Sequence, residues 1–165
     1  MEIRNTRTED FRGILQINEE SVNFLSPLSR ERLGDLHRRA AYSRVMESNG
    51  AVAAFLLAFR EGADYDSPNY GWFSERYGSF LYIDRVVVHP HHRRKGAAGL
   101  LYRDLFEYAA QSGVAVITCE VDIFPPNPLS LRFHRRRGFS EVGRQWIGDG
   151  KKQVSLMEKR IGGER

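Results

Sequence analysis

The sequence has one cysteine, Cys119, so it cannot close an internal disulfide. That fits a reducing compartment, and a cytoplasmic chain is expected. It also lacks an apolar run long enough to cross a bilayer. Its first residues, MEIRNTRTEDF, are polar and mixed in charge, unlike a secretory signal. No membrane partner is therefore expected. Net charge is small: 25 Lys plus Arg against 21 Asp plus Glu leaves +4. Neither a phosphate-binding Walker loop nor a G-x-S-x-G nucleophile elbow is present. His91 and His92 are adjacent and have no cysteine or carboxylate at a ligand spacing, so no metal site is expected. Repeats and low-complexity segments are missing as well.

What is present is an ordinary globular composition, 41% hydrophobic and 28% charged over 165 residues. One domain covering 1–165 is expected at this length. The basic residues are clustered, at His37–Arg39, His91–Lys95 and His134–Arg137. Such clusters suit a nucleic acid, a polyphosphate ligand or plain solvated helix faces.

The most informative stretch is Ile83–Leu105, IDRVVVHPHHRRKGAAGLLYRDL. Tyr82–Val88 is rich in β-branched residues and reads as a strand stopped by Pro90. Ala98–Gln111 places Leu101, Leu105, Tyr108 and Ala109 on one stripe, flanked by Leu100 and Phe106, and reads as a helix. Between them lies a basic loop of small residues. A strand, a small-residue turn and a helix start offer backbone N–H groups and a positive dipole end to a phosphate. Gly96 permits positive φ there, and Arg93, Arg94 and Lys95 add complementary charge.

Arg93, Gly96 and Ala98 fit R-x-x-G-x-A, and Val86-Val87-Val88-His89-Pro90 leads into them. Here the sequence resembles the GNAT superfamily of N-acetyltransferases. A second signature supports this: Asn127–Phe139, NPLSLRFHRRRGF, matches that family's N-x-x-[AS]-x-x-F-Y-x-x-x-G-F at Asn127, Ser130, Phe133, Gly138 and Phe139. The resemblance implies acetyl-CoA as co-substrate, with its pyrophosphate on Arg93, Arg94, Lys95, Gly96, Ala97, Ala98 and Gly99. It implies Val86 and Val88 beside the thioester and pantetheine, and Asn127, Ser130 and Phe133 along the pantetheine arm. It also implies direct attack by an amine in a ternary complex, with no covalent enzyme intermediate. His134 stands where the family has a tyrosine that often protonates the departing thiolate. An imidazolium can do this near neutral pH, so His134 is a candidate general acid; the alternative is a histidine that only packs.

Before this centre, Met1–Arg7 reads as a strand, and Thr8 as the N-cap of a helix bearing Phe11, Ile14, Leu15 and Ile17. A break is expected over Ser21–Ser29, then a helix capped by Ser29 that buries Leu33 and Leu36. Tyr42–Glu47 and Ala51–Arg60 read as strands joined by Ser48-Asn49-Gly50. Glu61–Ser79 is a long connection holding Tyr65, Tyr70, Trp72, Phe73 and Tyr77; it suits an ordered flap, a satellite hydrophobic cluster or a dimer contact. After the centre, Val114–Asp122 reads as a buried strand and Asn127–Arg137 as a helix ended by Gly138. Phe139–Gln145 and Gln153–Lys159 read as closing strands, with a frayed tail at Gly162–Arg165. The expected fold is α/β, a mixed, mostly antiparallel central sheet of about seven strands with helices on both faces, GNAT-like in order.

Asp84 and Glu120 are carboxylates in otherwise apolar strands, costly unless paired or functional. Each is a candidate to bind a substrate ammonium or accept its proton; the alternative is a structural pair with Arg85 or Arg132. Cys119 sits mid-strand among apolar residues, where a thiol usually acts as a small hydrophobe. The expected acceptor is a small-molecule or peptide amine, and a homodimer would suit the sheet edges. Two other classes stay open: a non-catalytic CoA-binding module, which His134 keeps alive, and a basic nucleic-acid-binding protein. A nucleic-acid partner is not expected, because no basic sheet interleaved with aromatics is present.

Overall fold

The computed structural model describes residues 1–21 and 27–161. The expected break after the first helix falls partly on 22–26, and the expected frayed tail on 162–165; both lie outside the described residues. Seven strands form one sheet in the order β1-β2-β3-β4-β5-β7-β6. They are β1 (Glu2–Asn5), β2 (Tyr42–Ser48), β3 (Ala51–Arg60), β4 (Leu81–Val88), β5 (Val116–Phe124), β6 (Ser140–Ile147) and β7 (Lys152–Arg160). The α-helices among the described residues are α1 (Phe11–Glu19), α2 (Arg30–Arg39), α3 (Pro68–Ser74), α4 (Ala97–Gln111) and α5 (Pro128–Arg136). β4 and β5 pair in parallel, at Leu81↔Ile117 and Tyr82↔Thr118; β1–β2, β2–β3, β5–β7 and β6–β7 are antiparallel. The mixed α/β architecture expected from the sequence is the one found.

The backbone clusters into two compact units, Met1–Phe59 with Ile83–Tyr108, and Arg60–Tyr82 with Ala109–Arg165. In the first, Phe11, Ile14 and Ile17 of α1 pack with Leu33 of α2, Val45, Phe55 and Val87. Burying side chains of this size is worth roughly 1.5–3 kcal/mol each before entropy is counted. Ser29 caps α2, its side chain accepting from the Arg32 N–H at 3.0 Å. Asn49 (φ 53°) and Gly50 (φ 77°) make the tight turn between β2 and β3, as two consecutive left-handed residues suit a twisted hairpin. Thr8 is not a helix cap. It opens a 3₁₀ turn, Thr8–Asp10, and the Asp10 carboxylate takes the Arg7 N–H at 2.7 Å and both Arg4 terminal nitrogens at 2.8 Å.

The second unit corrects the reading of the aromatic connection. Residues 61–79 are not a bare loop, and part of them forms the hydrophobic cluster that is one of the expected alternatives. They contain α3, entered by Pro68 at the first turn and capped by the Ser67 side chain on the Tyr70 N–H. Tyr70 and Phe73 are buried and ring-pack with Phe80 and Tyr82. Tyr70 and Phe73 are core, while Tyr65, Trp72 and Tyr77 are half-buried around them. Gly143 of β6 makes room for this cluster: a Cβ there would lie 2.5 Å from Trp72 Cζ2. Gly143→Ala is therefore expected to destabilise the protein by about 1–3 kcal/mol through overpacking, read as a lower thermal midpoint. An unchanged midpoint would show that the indole moves aside freely.

Candidate active site

In the first unit, β4 alternates. Ile83, Arg85 and Val87 are buried, while Asp84, Val86 and Val88 are half-buried on the other face. Val87 points into the core with α1, and Val86 and Val88 lie on the opposite face of the strand. The strand ends where the His89 N–H bonds the Ala53 carbonyl at 2.8 Å and Pro90 follows. A 3₁₀ turn, Pro90–His92, comes next, with His89 Nδ1 accepting the His91 N–H at 3.0 Å. Arg93 folds back, its Nε donating to the Val88 carbonyl at 3.2 Å and its Nη2 to Ser21 Oγ at 3.4 Å. It thus braces the loop besides adding charge to it.

Arg94 (φ 62°) and Gly96 (φ 82°) are both left-handed. A non-glycine residue held there is strained by about 1–3 kcal/mol, a cost that concentrates at binding loops. Gly96 is exposed, and a Cβ built on it would meet nothing within 4 Å. The space over its backbone is open to a ligand. Ala97 then starts α4, a helix of 15 residues. The first-turn N–H groups of a helix have no intrahelical acceptor and sit at its positive end. Together with exposed Arg94 and Lys95, Ala97, Ala98 and Gly99 make an anion cradle of the kind a pyrophosphate fits.

The helix behind the cradle is pinned. Asp104 accepts from the Tyr42 hydroxyl at 2.6 Å and from Arg44 at 2.7 Å, and the Arg44 guanidinium lies 5.0 Å from the Tyr42 ring. Burial, then Asp104, pushes the Tyr42 phenol far up, so it stays a donor. On β4, Asp84 pairs with Arg85 at 2.7 Å, and Arg85 also reaches Asn18 Oδ1 of α1 at 3.2 Å. Both side chains of the ion pair are almost fully enclosed. Arg85, one of the two partners anticipated for a structural pair, is the one Asp84 has.

In the second unit, Glu120 of β5 accepts a hydrogen bond from the Tyr82 hydroxyl at 2.7 Å. Tyr82 is 1% exposed and is held by rings of Tyr70 at 5.6 Å and Phe73 at 6.0 Å. Glu120 itself is only half-buried. The arrangement is a carboxylate with one oxygen fixed by a rigid phenol. Sequence reading names Glu120 but misses Tyr82. Their pairing depends on the parallel β4–β5 register, which no local pattern encodes.

Next to Glu120, the Cys119 thiol is pushed well above its ordinary value by burial, with the Glu120 charge adding to it. A thiol kept protonated is a poor nucleophile, which argues against an acyl-cysteine route. Among the described residues, no group of three or more His, Cys, Asp or Glu is placed to hold a metal.

Asn127 caps α5, accepting the Ser130 N–H at 3.4 Å. His134 is buried one turn on, its Nδ1 2.7 Å from the Ser130 carbonyl, which assigns the proton to Nδ1. Its ring lies edge-on to Phe133 at 5.3 Å and Phe139 at 5.2 Å. Burial lowers its pKa below the usual histidine value; the Ser130 carbonyl opposes this and Arg137 adds to it. Phe133 in turn carries the Arg137 guanidinium 3.6 Å over its ring. Asn127, Ser130, Phe133 and His134 thus form one contiguous stretch of this helix. Gly138 (φ 92°) ends it, as its position predicts.

The fold recurs among solved structures. Ard1 from Thermoplasma volcanium superposes with a TM-score of 0.80 at 17% identity, over 98% of each chain. Naa20 from Chaetomium thermophilum, in complex with a bisubstrate analogue, gives 0.78 at 20%, over 98% of this chain and 87% of that one. The ribosomal-protein-S18-alanine N-acetyltransferase from Escherichia coli gives 0.75 at 18%, over 99% and 96%. No curated protein sequence matches significantly. The family model described as "Acetyltransferase (GNAT) family" matches residues 2–139, so the chain belongs to the GNAT family and is an acetyltransferase.

Proposed function

We propose that the protein transfers the acetyl group of acetyl-CoA to a primary amine, by direct attack of the amine within a ternary complex. The observation that carries this reading is the Arg93–Gly99 cradle: two left-handed residues, open space over Gly96, a long helix start and three cations. Acetyl-CoA supplies the activated thioester, and the residues of the cradle suit its phosphates. Val86 and Val88 are assigned to the acyl end of the thioester and pantetheine. Asn127, Ser130 and Phe133 are assigned to the pantetheine arm.

The reaction forms one N–C bond and breaks one C–S bond. The attacking nitrogen must be neutral and must shed a proton afterwards. Glu120, oriented by Tyr82, is assigned to hold the acceptor ammonium and take the proton that makes it neutral, directly or through a water; the second proton, shed after attack, leaves to solvent, from which His134 is reprotonated. Asp84 contributes negative charge to β4, already balanced by Arg85, which suits a supporting role there. The departing sulfur needs a proton, and His134 is assigned to give it. The acceptor is a cationic amine, on a small molecule or a peptide. The alanine-acetylating enzyme named above favours including peptide N-termini in the first screen. A cytoplasmic setting fits the buried, unpaired Cys119.

The sign of the His134 contribution is definite. Its protonated form is the donor, and its pKa lies below the usual value. Its share of kcat is therefore full in acid and is lost as pH rises through that lowered pKa. At saturating substrates, His134→Phe is expected to lower kcat by about a hundredfold on the acid side. It should also remove the decline toward alkaline pH. A His134→Phe profile that overlays the wild type would remove His134 from the chemistry and leave it as packing between Phe133 and Phe139.

A further inference from the structure

A cavity of about 530 Å³ lies within the second unit, where α3 and the segment after it meet the first residues of β5 and the last of β7. Six of its lining residues set its chemistry: Trp72, Arg76, Tyr77, Val116, Val142 and Arg160. None of them has a role in the acetyl-transfer reading. Two walls are aromatic, two are aliphatic, and two side chains are guanidinium cations.

The cations are held in place. The Arg76 guanidinium stacks 3.9 Å from the Trp72 ring, and its Nη1 donates to the Trp72 carbonyl at 2.9 Å. The indole in turn lies on Gly143, where no Cβ keeps it away. Arg160 lies 6.0 Å from the Tyr77 ring and pairs with Glu158 through Nε at 3.3 Å and Nη2 at 3.2 Å, which leaves its Nη1 side for a further acceptor. Glu158 also accepts the Tyr77 hydroxyl at 2.6 Å, and burial followed by that carboxylate pushes the phenol up to about 12. Tyr77 is therefore neutral at working pH. A stacked guanidinium keeps its in-plane N–H edge for a partner and loses little freedom on binding one. Glu75, the acidic neighbour of Arg76, is largely exposed and paired loosely at 3.5 Å.

We propose that this cavity is a second ligand site, for a small organic carboxylate with a flat apolar body. The carboxylate would bridge Arg76 and Arg160, and the body would pack on Tyr77, Val116 and Val142. A simple inorganic anion would satisfy the cations but leave the apolar walls wet. A neutral aromatic would fill the walls but add no acceptor for the N–H groups that Arg76 and Arg160 still present.

The protein carries its own reporters. It has two tryptophans, Trp72 in the cavity wall and Trp146, which is 53% exposed and packs edge-on to Phe124. Their indole N–H signals can be followed by proton–nitrogen correlation NMR and assigned with Trp146→Phe. The probes are indole-3-acetate, its neutral isostere indole-3-acetamide, and inorganic phosphate. Indole-3-acetate should move the Trp72 signal saturably and leave Trp146 in place. Affinity should be about tenfold lower for the amide and for phosphate, the loss expected of one charge-assisted contact set. Arg76→Gln and Arg160→Gln, both at exposed side chains, should each weaken indole-3-acetate to a similar degree without unfolding the protein. The proposal is overturned by no saturable shift, by equal response to acid and amide, by phosphate binding as well as the acid, or by variants that bind unchanged.

Discussion

Gly96→Glu is expected to weaken acetyl-CoA binding by about a hundredfold or more in a calorimetric titration. Two effects act together. A side chain would stand in the open space over the loop backbone, where the phosphates are assigned. Its carboxylate would also oppose their charge beside Arg94 and Lys95. The backbone adds a third, smaller term, because φ at this position is 82° and glycine alone adopts that freely. Folding should survive, since nothing lies within 4 Å of a Cβ there. Strain of about 1–3 kcal/mol would lower the thermal midpoint by about 2–12 °C in a chain of this size. Gly96→Ala separates the contributions. It carries the strain without the charge or the bulk, and should bind more weakly than wild type but far more tightly than Gly96→Glu. Equal binding by all three would remove the loop from cofactor recognition.

Glu120→Gln is expected to lower kcat/KM by about 10²–10⁴-fold, the usual range for loss of a positioned base. The amide keeps the shape of the side chain and can still accept from the Tyr82 hydroxyl. Only the charge and the basicity go. Acetyl-CoA binding should stay near the wild-type value, because the residues assigned to the phosphates are untouched. Tyr82→Phe gives the complementary result. It removes the donor that fixes one oxygen of the carboxylate. kcat/KM should fall by about tenfold at fixed pH, with acetyl-CoA binding unchanged. A purely structural tyrosine would change stability without lowering kcat/KM of the folded enzyme. Glu120→Gln at near wild-type rate would refute the assignment of the base.

How much of this is legible in the sequence varies with the distance over which the signal acts. The cradle can be read directly. Pro90 stops a strand, Gly96 permits a left-handed turn, and the stripe of Leu101, Leu105 and Ala109 starts a helix, all within a short span. The hairpin at Asn49-Gly50 and the Ser29 cap are equally local. Helix α3 is harder. Ser67 and Pro68 do signal a helix start, but Gly71 and the run of aromatics mask it, and the burial of Tyr70 and Phe73 supplies what propensity does not. Thr8 fails as a cap because Asp10, held by Arg4 of β1, takes the Arg7 N–H first. Tyr82 and Glu120 are 38 positions apart, and nothing local marks them as partners. Asp84 and Arg85 are adjacent, so that pair is readable, but the third member, Asn18, is not.

The most direct test of the central claim is acetyl transfer itself. Thiol release from acetyl-CoA would be followed with a panel of cationic small-molecule amines and peptides with free N-termini, with mass spectrometry of the acceptor. The account predicts thiol release only when a suitable amine is present, matched by one acetyl group on that amine, and lost in Glu120→Gln. Acetyl-CoA that binds to the protein but is consumed with no amine on the panel would contradict it.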